Sequence, residues 1–138
     1  MNNINYPSWE IGKLLPKDNP YNKSVTWTLI EKGNNEFPER IEAWSYDTRF
    51  NMCYEEIIQD AWSYQEILKW LREEHKLYPE VGAINVPVFD KWCYDIYNIS
   101  KRTTKFLWDR KYKAFETYEE ALDNAILHCL TIIKDGNK

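Results

Sequence analysis

The segment KAFETYEEALDNAILHCLTII, from Lys113 to Ile133, contains the end of a strand, the start of a helix and a long apolar stripe. Thr117 and Glu120 have the Thr-x-x-Glu spacing of a capping box, which satisfies free N–H groups at the first turn of a helix. The segment predicts a helix from Thr117 to about Lys134. Its predicted apolar face consists of Ala121, Leu122, Ala125, Ile126, Cys129, Leu130 and Ile133. Such a face has to be covered, and a sheet is the surface large enough to cover it.

The residues upstream of this helix supply the strands that such a sheet needs. Ser63 and Glu66 repeat the capping-box spacing and predict a helix over 63–77 that ends before Pro79. Short runs rich in Val, Ile, Tyr and Trp follow it, as is typical of strands. The predicted strands are 81–89, with Pro87 favouring a sheet edge, 92–99 and 104–108, with YKAFE continuing at 112–116. The order over 63–134 is therefore α-β-β-β-α.

The N-terminal half predicts a β-hairpin over 24–46, because apolar and polar residues alternate over 24–31 and 40–46 around a GNNEFP turn. These two strands could extend the same sheet. The pattern over 50–61 is ambiguous and allows a short helix with Ile57, Ile58 and Ala61 on one side. Three prolines in residues 1–23 predict an extended arm. The residues expected to pin this arm are Tyr6, Trp9, Leu14, Leu15 and Tyr21.

Length and composition indicate one globular domain spanning residues 1–138. Hydrophobic residues make up 43% of the chain and charged residues 29%, which excludes a disordered protein. We predict the α+β class, with an antiparallel β-sheet covered by two helices. Aromatic residues reach 16%, including seven Trp and ten Tyr. Large rings either fill a core or remain at the surface as binding anchors, so this surplus is open to both interpretations.

Charge and cysteine content predict the cellular location. The net charge of −4 argues against nucleic-acid binding by the whole surface. No apolar run is long enough for a transmembrane helix, and the first residues, MNNINYPSWEIGK, lack the features of a signal peptide. The three cysteines, Cys53, Cys93 and Cys129, are far apart, as expected of free thiols. We expect a cytoplasmic protein with no membrane partner.

Motifs for catalysis and for metal binding are not found in the sequence. It has no CxxC, HExxH or HxH pattern, and its four glycines form no phosphate-binding loop. Carboxylate pairs such as Glu119 and Glu120 are adjacent on a predicted helix, where the helix dipole accounts for them. We therefore predict no metal, no cofactor and no enzymatic activity. One alternative is an unrecognised enzyme or small-ligand binder that uses His75 or His128 in an aromatic-lined pocket.

Positive charge is concentrated between residues 101 and 113. Six basic residues and one acid give this segment a charge of +5, and aromatic residues lie between them. Such a segment can hold single-stranded nucleic acid through phosphate contacts and base stacking. It is also typical of a strand hairpin with a charged outer face. The candidate binding residues of this segment are Lys101, Arg102, Lys105, Trp108, Arg110 and Lys111.

Two segments together resemble a group of small uncharacterised proteins of phages, prophages and mobile elements in gut Bacteroidales. The resemblance covers residues 60–135, about half of the chain. The matching residues are Gln65, Trp70, Leu71, Arg72, Glu73 and His75, then Phe115, Thr117, Tyr118, Glu119, Glu120 and Ala121. The resemblance implies a phage or mobile-element origin, and with it the cytoplasm of the host cell, but it implies no activity.

The function that these observations favour is that of a non-enzymatic accessory protein that binds another protein. A small, acidic, aromatic-rich chain without catalytic motifs suits such a role. Trp and Tyr are frequent anchors of protein interfaces, so an exposed aromatic patch is the predicted site. Its candidate residues are Trp44, Trp92 and Trp108. Nucleic-acid binding through 101–113 is the first alternative.

Overall fold

The structure, a computed structural model, describes residues 5–45, 56–84, 91–100, 103–105 and 114–136, with the backbone alone for Ile84 and 103–105. Helices occur together with antiparallel sheets, which confirms the α+β class, and the predicted order α-β-β-β-α is found in the C-terminal part. The elements in chain order are α1 (Trp9–Gly12), β1 (Val25–Glu31), β2 (Arg40–Ser45), β3 (Glu56–Asp60), α2 (Tyr64–Glu74), β4 (Leu77–Ile84), β5 (Lys91–Asn98), β6 (Thr103–Lys105) and α3 (Tyr118–Gly136).

The chain divides into two compact units, Met1–Glu66 and Ile67–Lys138. Each unit contains one three-stranded antiparallel sheet within the described residues, in the orders β2-β1-β3 and β4-β5-β6. The expectation that the N-terminal strands extend the C-terminal sheet is therefore wrong, because β1 pairs with β2 on one side and with β3 on the other. A single domain over 1–138 stays a prediction.

The third strand of the first sheet corrects the helix considered for 50–61. Residues Glu56–Asp60 form β3, and the rest of that range up to residue 55 lies outside the described residues. The register of β3 against β1 shifts between Trp27 and Thr28, so Ile58 is an extra residue in a β-bulge. A bulge breaks the alternation that identifies a strand, which is why the sequence pattern was ambiguous here.

The N-terminal arm contains a short helix and is anchored to the first sheet. α1 lies within it, and Ile11 and Leu15 are buried. Leu14 is 54% exposed, so its expected role as an anchor is wrong, because most of its side chain remains in contact with solvent. Asn19 is fully buried and fixes the end of the arm through hydrogen bonds to the chain around residues 60–66.

In the second unit, α3 packs against β4 and β5, as its apolar stripe predicts. The hydroxyl of Thr117 accepts a hydrogen bond from the backbone N–H of Glu120 at 3.1 Å, which confirms the predicted cap. Five residues of the predicted apolar face are buried: Ala121, Leu122, Ala125, Ile126 and Cys129. Phe115 joins the edge of this sheet through two 2.8 Å backbone hydrogen bonds with Trp92.

Two boundaries in the second half differ from the sequence expectation. α2 ends at Glu74 rather than at 77, because Lys76 adopts the left-handed conformation, with φ of 56°, that terminates helices. β4 consequently begins at Leu77, four residues earlier than the predicted 81, and contains Pro79. In the described sheet β4 is an edge strand paired only with β5, where the missing N–H of proline is tolerated.

Candidate functional site

A groove in the first unit forms where α1 leaves part of the first sheet uncovered. The register places Trp27 of β1 opposite Ala43 of β2 and opposite Gln59 of β3. α1 covers the centre of this face: the side-chain amide of Gln59 donates to the carbonyl of Gly12 at 2.9 Å. With four residues, α1 is only about 6 Å long, so it does not cover the outer strand as well. The groove lies between α1 and that strand.

The floor of the groove is apolar and its rim is charged. Trp9, Pro38 and Ile41 supply the apolar surface, and the charged residues are Glu10, Lys13 and Glu39. The cavity measures about 410 Å³, a size found for ligand pockets in proteins. Trp9 is half-buried and held in place by Trp27, with ring centroids 5.4 Å apart. The groove therefore presents one fixed indole ring to whatever enters it.

The loop that leads into the groove is ordered by Asn34. Its side-chain oxygen accepts hydrogen bonds from the backbone N–H groups of Glu36 and Phe37, each at 2.8 Å. Its own backbone N–H donates to the carbonyl of Phe37 at 2.8 Å. This turn holds Phe37 with 64% of its surface exposed, directly before the groove residue Pro38. The loop thus displays an aromatic ring next to an apolar groove.

The charges on the groove rim are unequally paired. The carboxylate of Glu10 lies 2.9 Å from the ammonium group of Lys13, so these two charges compensate each other. Arg40 points to the opposite face of β2, where its guanidinium lies 2.7 Å from Glu42. Glu39 is exposed and has no ion-pair partner among the described residues. The rim therefore carries one uncompensated negative charge.

The sequence-predicted anchors do not line this groove. Trp44 is half-buried, and its indole N–H donates to Glu42 at 3.1 Å on the face of β2 that also carries Arg40. Trp92 is half-buried in the second unit. Its ring and that of Tyr118 are nearly perpendicular, with the ring centroids 5.4 Å apart. Lys105 lies on β6 with only its backbone described. The remaining predicted residues lie outside the described part of the chain: Lys101, Arg102, Trp108, Arg110 and Lys111.

Each histidine makes a specific aromatic contact. The Nδ1 atom of His128 lies 3.0 Å from the hydroxyl of Tyr94, and burial raises the pKa of that hydroxyl. His75 lies just beyond α2 rather than on a helix. Its ring packs edge-on against the ring of Trp70, with the ring centroids 4.6 Å apart. Burial lowers the pKa of His75, partly offset by Glu74. Neither of the two described cavities is lined by a histidine.

The second described cavity lies at the start of α2. It measures about 340 Å³ and is lined by Asn5, Tyr6, Ser63, Tyr64 and Gln65. Ser63 and Glu66 use their polar groups in the capping box. The hydroxyl of Ser63 accepts from the backbone N–H of Glu66 at 3.2 Å, and the carboxylate of Glu66 accepts from the backbone N–H of Ser63 at 2.9 Å. Burial and the Glu66 carboxylate raise the pKa of Tyr6. These contacts explain the polar groups as the cap of a helix.

Two carboxylates lie opposite each other on the neighbouring strands β4 and β5 of the second sheet. Glu80 of β4 lies directly opposite Asp95 of β5, and one carboxylate oxygen of Asp95 is buried without a hydrogen-bond partner among the described residues. Burial and the neighbouring Glu80 raise the pKa of Asp95.

Burial also raises the pKa of the Cys129 thiol to about 12, so this thiol is unreactive.

Sequence reasoning missed the groove because its two walls come from distant segments. Trp9 belongs to the arm, whereas Ile41 lies on β2, and only the pairing of β2 with β1 brings the second wall into place. The local signal was the Phe37-Pro38 pair in the hairpin loop, since an apolar pair at a polar turn is unusual. Placing the Phe37-Pro38 pair next to Trp9 would have required a prediction of the register between β1 and β2.

Comparison with known proteins found no match for the chain: no family model, no curated protein and no solved structure. The resemblance to phage-associated proteins therefore stays a prediction. Among the described residues, no helix has the length and apolarity that a membrane crossing requires. The same part of the chain contains no group of three or more His, Cys, Asp or Glu side chains placed to hold a metal ion.

Proposed function

We propose that this protein is a non-catalytic interaction module and that the groove between α1 and β2 binds a segment of another protein. The observation that carries the proposal is the combination of a half-buried apolar floor, Trp9 and Ile41, with an exposed proline, Pro38, and a charged rim in a cavity of about 410 Å³. Buried apolar centres with polar rims are the usual anatomy of protein interfaces.

The aromatic residues support this function. Trp9 is fixed by its contact with Trp27, so it offers a large contact area with little loss of conformational entropy on binding. Phe37 is exposed on a loop ordered by Asn34, which makes it a second available anchor. The ring of Trp9 and the backbone of the loop that carries Phe37 are both held in place before a partner arrives, and such preorganisation increases affinity.

The chemistry of the lining favours binding over catalysis. None of its described residues carries a hydroxyl, thiol or imidazole, which are the usual nucleophiles and proton-transfer groups. The carboxylate of Glu10 is paired with the ammonium group of Lys13 at 2.9 Å. An accessory role is compatible with such a binding module and with the phage or mobile-element origin that the resemblance implies.

The experiment is a selection of binding peptides from a random displayed library, followed by calorimetric titration of synthetic peptides with the full chain. Ile41→Thr changes the groove floor while keeping a β-branched side chain on β2. Ile57→Thr is the matched control, because Ile57 is 56% exposed on β3 and does not line the groove. We expect Ile41→Thr to weaken peptide binding about tenfold, since the apolar contact of one side chain is reduced.

Circular dichroism of both variants establishes that they remain folded. The proposal requires Ile57→Thr to bind selected peptides with the affinity of the unchanged protein. A selection that yields no binding peptide would contradict the proposed function. Equal losses of affinity in the two variants would contradict the assignment of the groove.

A further inference from the structure

The charges on the rim of the groove indicate which charge its partner should have. Lys13 is compensated by Glu10 at 2.9 Å, and Arg40 is held on the opposite face of β2 by Glu42 and, at 3.8 Å, by Glu31. Neither cation neutralises Glu39. An incoming segment therefore meets an apolar floor with one uncompensated carboxylate beside it.

The unit that contains the groove is also strongly acidic. Residues 1–66 include eleven Asp and Glu and six Lys and Arg, a net charge of −5. Residues 67–138 include eleven acidic and twelve basic residues, a net charge of +1. The negative charge of the whole chain is therefore concentrated in the unit with the groove. A field of this sign attracts basic ligands and repels acidic ones.

We propose that the groove recognises a linear protein segment in which a Lys or Arg stands next to a bulky apolar side chain. The apolar side chain packs on Trp9 and Ile41, and the basic residue reaches Glu39 at the rim. This inference rests on the proposed function and adds the chemistry of the partner to it. Charge pairs at the rim of an interface act mainly on selectivity and on the rate of association.

The first arm of the test uses two synthetic peptides derived from a selected sequence. One carries Arg next to an apolar residue and the other carries Glu in place of that Arg. We expect the basic peptide to bind about tenfold more tightly at low salt, and the difference to shrink at high salt because ions screen exposed charges. Equal binding of the two peptides, or a preference for the acidic one, would overturn the inference.

The second arm of the test reverses the charge of the protein. Glu39→Lys should weaken binding of the basic peptide about tenfold and improve binding of the acidic one. Glu56→Lys is the matched control, because Glu56 is an exposed acid of the same unit that does not line the groove. It changes the net charge of the unit by the same amount, so an equal effect of both variants would show that Glu39 has no specific role and would overturn the inference.

The two proposals fail in different ways. Peptides that bind in the groove without regard to their charge contradict the basic partner and leave the interaction module standing. The absence of any peptide whose binding depends on Ile41 contradicts both proposals. The titrations of Ile41→Thr and Glu39→Lys therefore separate the two.

Discussion

Gly12 is the residue on which the packing of α1 against the first sheet depends. A Cβ atom at this position would lie 2.5 Å from the indole nitrogen of Trp27, and 2.6 Å and 2.7 Å from two carbons of the same ring. The indole is buried, so it cannot move aside without disturbing the core. Only glycine lets the helix and the ring approach this closely.

We predict that Gly12→Ala lowers the free energy of unfolding by about 1–3 kcal/mol, because the added methyl group overpacks a buried contact. Gly82→Ala is the control, since a Cβ atom there would meet no atom within 4 Å. Urea denaturation followed by tryptophan fluorescence measures both. Similar stabilities for the two variants would show that the approach of Gly12 to Trp27 is not a constraint.

Asp95 determines a second property at the residue scale, the dependence of stability on pH. Burial and Glu80 raise its pKa in the folded protein, so folding favours the protonated carboxyl group. The stability that Asp95 contributes is therefore fully present below the ordinary pKa of 3.8 and is lost as the pH rises through the raised value. Above the raised pKa the ionised side chain is a source of instability.

We predict that Asp95→Asn stabilises the protein by about 1 kcal/mol at pH 7, since it removes a buried charge and the repulsion from Glu80. The gain should shrink as the pH is lowered toward 4. Thermal unfolding of the two proteins across this range measures the effect. A stabilisation that is constant with pH would mean that ionisation of Asp95 is not its cause.

At the scale of elements, Asn19 ties the arm to the rest of the first unit. Its side-chain oxygen accepts from the N–H of Tyr21 at 2.9 Å. Its amide group donates to the carbonyl of Ala61 at 3.0 Å and to the carboxylate of Glu66 at 3.3 Å. A single buried side chain thus links the arm to the segment that leads from β3 into α2. This link holds the end of the arm that carries α1, and α1 supplies one wall of the groove.

We predict that Asn19→Ala lowers the free energy of unfolding by about 2–3 kcal/mol, because buried polar groups lose their partners. Asn35→Ala, at an exposed position in the β1–β2 loop, should leave stability unchanged. Denaturant titration of both variants is the measurement. An Asn19→Ala variant as stable as the unchanged protein would show that the arm is anchored by other residues.

The elements also show where sequence reasoning succeeds and where it fails. α3 was predictable because both its signals are local: the cap at Thr117 and an apolar stripe ending near Ile133. β3 was not, because its bulge at Ile58 is imposed by pairing with β1. The end of α2 at Lys76 was missed for a related reason, since a lysine in the left-handed conformation has no sequence signal comparable to glycine.

The site was harder to predict than the fold. The sequence drew attention to Trp44 and Trp92, both of which are half-buried in contacts within their own units. It assigned Trp9 only a structural role, yet this residue lines the groove. A count of aromatic residues identifies candidates for an interface, but burial depends on tertiary packing, and the exposed fraction of a ring cannot be derived from its neighbours in sequence.

At the scale of the whole molecule, two units with different charge share one chain. The first is acidic and contains the groove, and in the second Tyr94 of β5 contacts His128 of α3. Nucleic-acid binding through residues 101–113 belongs to the second unit and stays a sequence-based prediction. In the first unit, we propose that a basic, partly apolar segment binds beside Trp9.

The most direct test of this claim is a nuclear magnetic resonance titration of the ¹⁵N-labelled full chain with a selected basic peptide. We predict that the largest shift changes occur at the backbone amides of Glu39 and Ile41 and at the indole N–H of Trp9. Residues of β4 and β5 should show little change. Shift changes concentrated in the second unit, or none in the groove at saturating peptide, would contradict the account.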